Sequence, residues 1–215
     1  ADRQVAEHVA PGSIAVIWDE DRRVVVGIDL GSGAEAWRRP LTGDGSPQAN
    51  GLIPVEGGVI VYDTAMRVQR LDGRTGDVTW SRDMTAEGSE LVHRGVSADD
   101  GVVLATLQTR STRESEYRTV CLDAADGAVL WRAELGSARP DIAHVCRTSV
   151  VLEMRSMLPR RESAYSTLVL DRATGERRQE YAPEDLTSER QTLFFSGDRV
   201  IISTPTRLSI LGPRK

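Results

Sequence analysis

The chain reads as an all-β protein, a β-propeller of four-stranded antiparallel blades, on three observations. A five-residue turn recurs four times: Asp29-Leu30-Gly31-Ser32-Gly33, Asp72-Gly73-Arg74-Thr75-Gly76, Asp123-Ala124-Ala125-Asp126-Gly127 and Asp171-Arg172-Ala173-Thr174-Gly175. Its aspartates are 43, 51 and 48 residues apart, a period at which repeats build propellers or solenoids. Each turn closes an apolar run, and in the first three copies a tryptophan (Trp37, Trp80, Trp131) stands four residues beyond the last glycine. Four units with the turn and a partial fifth make about five blades, arranged as an open arc.

The units lie at about residues 3–40, 48–84, 90–135, 141–182 and 190–212 of one domain spanning 1–215. A short strand A opens the unit, as in residues 3–9, 51–55, 141–145 and 193–195. A turn signal follows: Pro11-Gly12, Glu56-Gly57-Gly58, Asp99-Asp100-Gly101, Arg147-Thr148-Ser149 or Gly197-Asp198. Strand B is the apolar run at 14–18, 59–62, 102–106, 150–154 and 200–203. Strand C, at 24–28, 68–71, 118–122, 166–170 and 208–211, alternates. It sets Val26 with Ile28, Val120 with Leu122 and Leu168 with Leu170, which predicts strands packed on one side. Strand D carries the tryptophan. No helix is needed anywhere.

Unit one has its own strand A, and unit five has Gly212 in the place of the motif aspartate and no strand D. No shared strand then closes a ring, and the expected arrangement is the C-terminal part of a longer propeller. The competing arrangement takes residues 2–10 as the last blade's strand D, paired with residues 206–211 in a closed five-bladed ring.

The turn residues have a physical reading. An aspartate accepts hydrogen bonds from backbone N–H groups just ahead, replacing ladder bonds that the turn breaks. The Ser or Thr three residues later adds another. The glycine supplies the positive φ that closes the hairpin without a Cβ clash. The tryptophan offers a flat apolar surface of roughly 150–250 Å² for the neighbouring blade.

Together, Asp-x-x-[Ser/Thr]-Gly-x-x-x-Trp after an apolar strand resembles the tryptophan-docking repeat of the PQQ-like (quinoprotein alcohol dehydrogenase-like) β-propellers. The resemblance covers four repeats. It departs at Gly31, an extra glycine, at Asp126, which replaces the hydroxyl residue, and at Gln179, which stands where a tryptophan belongs. It implies a structural role for Asp29, Gly33, Trp37, Asp72, Thr75, Gly76, Trp80, Asp123, Gly127, Trp131, Asp171, Thr174 and Gly175. Members of this family include dehydrogenases that hold PQQ and calcium on the propeller axis. Others are non-enzymatic envelope proteins, assembly lipoproteins and sensor domains among them. The enzymes' adjacent-cysteine disulfide has no counterpart here, since Cys121 and Cys146 stand 25 residues apart. Nor does any Asn/Asp/Glu cluster show metal-ligand spacing. The expectation is a non-catalytic scaffold or sensor domain at the cell envelope, without cofactor, metal or catalytic residues, that binds a protein or peptide. The alternatives are a quinoprotein-type oxidoreductase using PQQ and calcium, or a binder of small ligands or glycans in the central channel.

Composition narrows the classes. A net charge of −5 argues against nucleic acid as partner. No apolar run approaches the ~18 residues of a membrane span, so any membrane attachment lies in segments outside this chain. The sequence begins at Ala1 without a signal peptide and is read as a mature or excised segment. Of 27 basic residues only Lys215 is lysine, a bias that GC-rich coding explains more simply than anion recognition. Cys121 and Cys146 are read as buried, unlinked thiols, with pairing as the alternative in an exported protein.

Two groups of residues invite a site. His8, His93 and His144 fall in or beside strand A of blades one, three and four. They would converge on a metal only if those strands brought them together, and they are read as structural. The B–C hairpins of blades three and four carry extra segments at 110–116 and 157–163. Arg113, Arg160 and Arg161, with Met157-Leu158 as an apolar anchor, are candidate contacts for a partner protein.

Overall fold

The Gly- and Asp-rich turns cut the chain into short antiparallel runs. In the computed structural model these form nineteen strands and no helix among the described residues. Those residues are 5–6, 14–19, 22–41, 49–99, 101–109, 115–157, 163–181, 192–196, 199–203 and 208–211. Sheet 1 holds β1 (Val5–Ala6), β2 (Ile14–Asp19), β3 (Val24–Asp29) and β4 (Glu35–Pro40). Sheet 2 holds β5 (Ala49–Val55), β6 (Gly58–Asp63), β7 (Arg67–Asp72) and β8 (Val78–Asp83). Sheet 3 holds β9 (Glu90–Asp99), β10 (Val102–Thr109), β11 (Glu116–Asp123) and β12 (Val129–Gly136). Sheet 4 holds β13 (Arg139–Val145), β14 (Ser149–Met157), β15 (Ser163–Asp171) and β16 (Arg177–Tyr181). Sheet 5 holds β17 (Thr192–Ser196), β18 (Arg199–Ser203) and β19 (Leu208–Leu211). In every sheet the strands neighbour one another in chain order, the meander of a propeller blade.

The core is a series of layers between consecutive sheets. Val16, Trp18, Val25 and Trp37 of sheet 1 pack with Val59, Val61 and Leu71 of sheet 2. Ile60, Tyr62, Val68 and Trp80 of sheet 2 pack with Val103, Leu107, Val120 and Leu122 of sheet 3. Leu104, Cys121, Trp131 and Leu135 of sheet 3 meet Leu152, Met154, Leu168 and Leu170 of sheet 4, and Val151 and Val169 meet Ile202 of sheet 5. Period-2 alternation therefore sends successive residues of one strand into two different cores. The one-sided packing expected for strand C is corrected here. Leu168 and Leu170 face sheet 3 while Val169 faces sheet 5. The physical reason is stacking: an inner strand of an inner blade has a sheet on either side. Fully buried side chains such as Leu71, Leu104, Leu122 and Leu170 each contribute about 1.5–3 kcal/mol through burial.

The first strands of sheets 1 to 4 approach one another in sequence, so the sheets fan about an axis on that side. Among the described residues they do not close into a ring. Val5 and Ala6 pair with Ile17 and Val16, which makes β1 strand A of sheet 1, and β19 pairs with β18. The closed-ring alternative, with residues 2–10 as the last blade's fourth strand, is thereby overturned. The extra residues of the B–C hairpins in sheets 3 and 4 lengthen the strands. Pairing reaches Thr109↔Glu116 and Met157↔Ser163, against six-residue strands in sheet 1.

Candidate functional site at the turns between sheets

Each C–D turn is built the same way from its five residues. The glycine N–H donates to the aspartate carbonyl at 2.7 Å in Gly33–Asp29, 2.9 Å in Gly76–Asp72 and Gly127–Asp123, and 2.8 Å in Gly175–Asp171. The aspartate N–H donates across the hairpin to the residue after the glycine, for instance Asp72 to the Asp77 carbonyl at 2.8 Å. Asp72 Oδ1 also accepts from the N–H groups of Arg74 and Thr75 at 2.9 and 2.8 Å. Asp29 accepts from the Ser32 N–H at 2.7 Å, and Asp171 from Ala173 and Thr174 at 2.7 and 2.9 Å. These bonds favour the ionised carboxylates. The Ser32 N–H and hydroxyl hold Asp29 below the usual carboxylate range. The Thr75 N–H does so for Asp72, against a smaller upward push from burial. In Asp171 burial pushes upward most, and the Thr174 N–H, the Arg178 guanidinium and the Ala173 N–H together outweigh it. At the third turn Asp126 replaces the hydroxyl: its Oδ1 accepts the Ala128 N–H at 2.8 Å, as Thr75 Oγ1 accepts that of Asp77 at 3.2 Å.

Beyond the glycine the ladder shifts by one residue at the same place in sheets 1 to 4. The breaks lie at Gly27/Ile28, Arg70/Leu71, Cys121/Leu122 and Val169/Leu170. They leave Ala36, Thr79, Leu130 and Arg178 as the extra residue, immediately before the tryptophan or its Gln179 substitute. A bulge turns the strand and re-aims the side chain that follows it. Here the side chain after the bulge is the indole that reaches the next sheet, and that of Trp37 also lies over Gly27 of its own hairpin.

The indoles bridge sheets. Trp37 Nε1 donates to the Gly73 carbonyl at 3.0 Å, Trp80 to Ala124 at 2.9 Å and Trp131 to Arg172 at 2.6 Å. In each case the acceptor is the residue after the aspartate of the following turn, 36, 44 and 41 residues ahead. The six-membered ring then lies on that turn's glycine. A Cβ added at Gly76, Gly127 or Gly175 would stand 2.4, 2.7 or 2.5 Å from the indole. These glycines have φ of 71°, 73° and 74°, so one atom's absence serves both the left-handed turn and the stacked ring. The three tryptophans are buried, at 6–8% exposure.

Arginines complete two of the joints. Two residues after the tryptophan, Arg39 Nε donates to the Gly76 carbonyl at 2.9 Å and Arg82 Nη1 to the Gly127 carbonyl at 3.1 Å. Each receiving turn thus takes an indole at one end and a guanidinium at the other. Arg70 also reaches the Ala124 carbonyl at 3.1 Å and that of Glu56 at 2.8 Å. On the link between sheets 2 and 3, buried Glu87 takes a bidentate pair with Arg132, whose hydrogen bonds hold its carboxyl below the usual range. Arg118 adds a donation to the Glu87 carbonyl at 3.1 Å. None of this was legible as a site: Trp-x-Arg is the signal, and it reads only as an arginine-rich strand until the neighbouring turn is in view.

The first turn differs. Gly33 has φ 71° like the others, but among the described residues nothing beyond its chain neighbours lies within 4 Å of a Cβ placed on it. Leu30, at the position of Gly73, Ala124 and Arg172, is 52% exposed.

The remaining expected positions are scattered or undescribed. His144 lies half-buried on β13, where burial lowers its pKa. His8 lies outside the described residues, and of His93 only the backbone in β9 is described. Cys121 and Cys146 are not joined in a disulfide, and burial pushes the Cys121 thiol up to about 12. Arg113, Leu158, Arg160 and Arg161 lie outside the described residues, and Met157 ends β14.

Two open clefts flank the joint between sheets 2 and 3. The larger, about 660 Å³, runs past Pro54, Arg70 and Asp99, but the Arg70 guanidinium is already engaged by backbone carbonyls. The smaller, about 340 Å³, runs past Asp63 and Glu90. Calcium takes six to eight oxygen ligands, typically several of them carboxylates. Among the described residues no three His, Cys, Asp or Glu side chains gather in that way, and Cys121 is enclosed by Leu104, Trp131 and Leu152. The described residues do not fit a PQQ–calcium site.

Residues 3–211 match the family model described as outer membrane protein assembly factor BamB. No curated protein matches the chain in sequence. Among solved structures, quinohemoprotein alcohol dehydrogenase from Comamonas testosteroni is similar at 14% identity and TM-score 0.63, over 90% of this chain and 38% of that one. Hydrazine synthase from Kuenenia stuttgartiensis is similar at 14% identity and TM-score 0.62, over 95% of this chain and 63% of that one. At such identity the likeness is one of fold alone, and the chain spans less than two thirds of either structure. Matched by its family model over nearly its whole length and built from the repeating sheets that model implies, the chain belongs to the BamB-like family of PQQ-repeat β-propellers.

Proposed function

We propose that this chain is a non-catalytic propeller domain that scaffolds or senses at the cell envelope by binding a protein or peptide. The observation that carries the proposal is the match of residues 3–211 to a model described as an outer membrane assembly factor. Its support in the molecule is that the recurring residues are spent on joining sheets. The aspartates shape turns, the glycines seat indoles and the tryptophans tie each sheet to the next. Partner contact falls to the variable parts, foremost the lengthened B–C hairpins of sheets 3 and 4 with Arg113, Met157, Leu158, Arg160 and Arg161.

Two measurements test this reading. A photo-crosslinking residue placed at 113 or 160 is expected to yield a discrete protein adduct in cells, weakened by R160E/R161E. Titration of the purified protein with PQQ and calcium is expected to give no saturable binding. Saturable binding with a shift of the quinone chromophore supports the oxidoreductase and overturns the proposal.

A further inference from the structure

The inner edge of sheet 4 sets two arginines against each other. In the β13–β14 ladder Arg139 stands directly opposite Arg155, beside the pair Pro140 and Met154. Directly opposed residues of an antiparallel pair share one face, and like charges so placed destabilise the sheet. Alternation fixes which face it is. Leu152 and Met154 enter the core with sheet 3 while Val151 packs with Ile202 of sheet 5, so Arg155 stands on the Val151 face. The ladder shifts between Pro140 and Ile142, and the extra residue is Asp141. A bulge of this kind re-aims a side chain. The Asp141 carboxylate lies 3.5 Å from Arg139 Nε and 3.3 Å from Arg155 Nε. Among the described residues it is the one carboxylate paired with either guanidinium, so two positive charges share a single negative one. Arg139 Nε is also shielded from solvent without a hydrogen-bond partner among the described residues, a costly state for a donor. The three side chains are 24–38% exposed, which leaves the cluster open to an incoming group.

We propose that Arg139 and Arg155 form a carboxylate-binding site that takes an aspartate or glutamate side chain from a partner polypeptide. Charge decides the class of ligand. One further carboxylate brings the cluster to neutrality, and the planar guanidinium forks match its two oxygens. Position decides the source. Past Arg155 the β14–β15 pairing continues through Ser156↔Ala164 to Met157↔Ser163, into the hairpin put forward above as a partner contact. Arg160 and Arg161 follow in the sequence of that hairpin, so basic residues recur from the strand pair into the loop. The inference rests on the scaffold reading and deepens it by giving the partner a chemistry, an acidic segment.

The test titrates the whole chain with fluorescein-labelled hexaglutamate, read by anisotropy, with hexaglutamine as the control. The expected result is saturable binding of hexaglutamate alone, weakened about tenfold by R139Q or by R155Q, the weight of one charge-assisted contact. R155K, which keeps the charge and loses the fork, is expected to fall between R155Q and the parent. Should an arginine variant unfold, D141N still decides the matter because its expected effect has the opposite sign. It removes the competing carboxylate, so it should bind hexaglutamate more tightly than the parent does, where a purely structural ion pair predicts no gain. Absence of hexaglutamate binding, unchanged affinity in R139Q and R155Q, no gain in D141N, or free glutarate bound as tightly as hexaglutamate would each overturn the proposal. Adducts from positions 113 or 160 that R139Q/R155Q leaves undiminished sink this inference and leave the scaffold reading standing.

Discussion

The turn of sheet 1 and the turns of sheets 2, 3 and 4 share one backbone and differ in what lies over it. At Gly76, Gly127 and Gly175 an indole occupies the space a Cβ would take, and at Gly33 no described residue does. The comparison separates two roles of the motif that the sequence presents as one. The Asp–Gly hydrogen bonds are made in all four turns, so they close the hairpin locally. The indole seat exists only where a preceding sheet supplies a tryptophan, so it belongs to the joint.

The largest expected effect is the loss of a joint. Trp80→Ala should cost about 3–5 kcal/mol in urea unfolding, since it empties a buried seat and leaves the Ala124 carbonyl to Arg70 alone. Next comes the contrast between glycines. Gly33→Ala should cost about 1–2 kcal/mol from left-handed strain alone. Gly127→Ala should add about 1–3 kcal/mol of overpacking against Trp80. Equal losses at the two positions would break the comparison.

A smaller effect is acid sensitivity. Thr75 and Ser32 depress the folded pKa of Asp72 and Asp29, so the unfolded chain binds protons first as pH falls. Their stabilisation is complete above the unfolded value of about 4 and disappears as pH drops through the lower folded values. Melting curves taken downward from pH 5 should therefore lose stability less steeply in Asp72→Asn and Asp29→Asn than in the parent. A steeper decline in either variant would contradict the assignment. The smallest effect is expected for Asp126→Thr, within about 0.5 kcal/mol by thermal melting, because either side chain accepts the Ala128 N–H.

Much of the architecture was legible because its signals are local. Alternation located the strands, and glycine with aspartate located the turns, since left-handed φ and short-range side-chain acceptors depend on residues within five positions. The strand A assignment of residues near Val5 followed from the same reading, and β1 pairs accordingly. One-sided packing of strand C was misread because alternation reports two faces without saying what covers each. The site was less legible. Trp-x-Arg at 37–39 and 80–82 was in plain view, but an arginine on an outer strand ordinarily suggests a solvated charge. Its use as a donor to a neighbouring turn's carbonyl exists only once sheets stack. Glu87 gave no signal, since a lone carboxylate between two strands becomes an anchor only when Arg132 is brought to it.

The amino-acid order alone decided where the chain turns and how often the unit repeats, because hydrogen bonds across four or five residues enforce those choices. Stacking decided the rest. Each indole finds its acceptor 36 to 44 residues ahead, on the next sheet rather than its own. Which turn is filled is a property of neighbours: among the described residues an indole lies over Gly76 and none over Gly33.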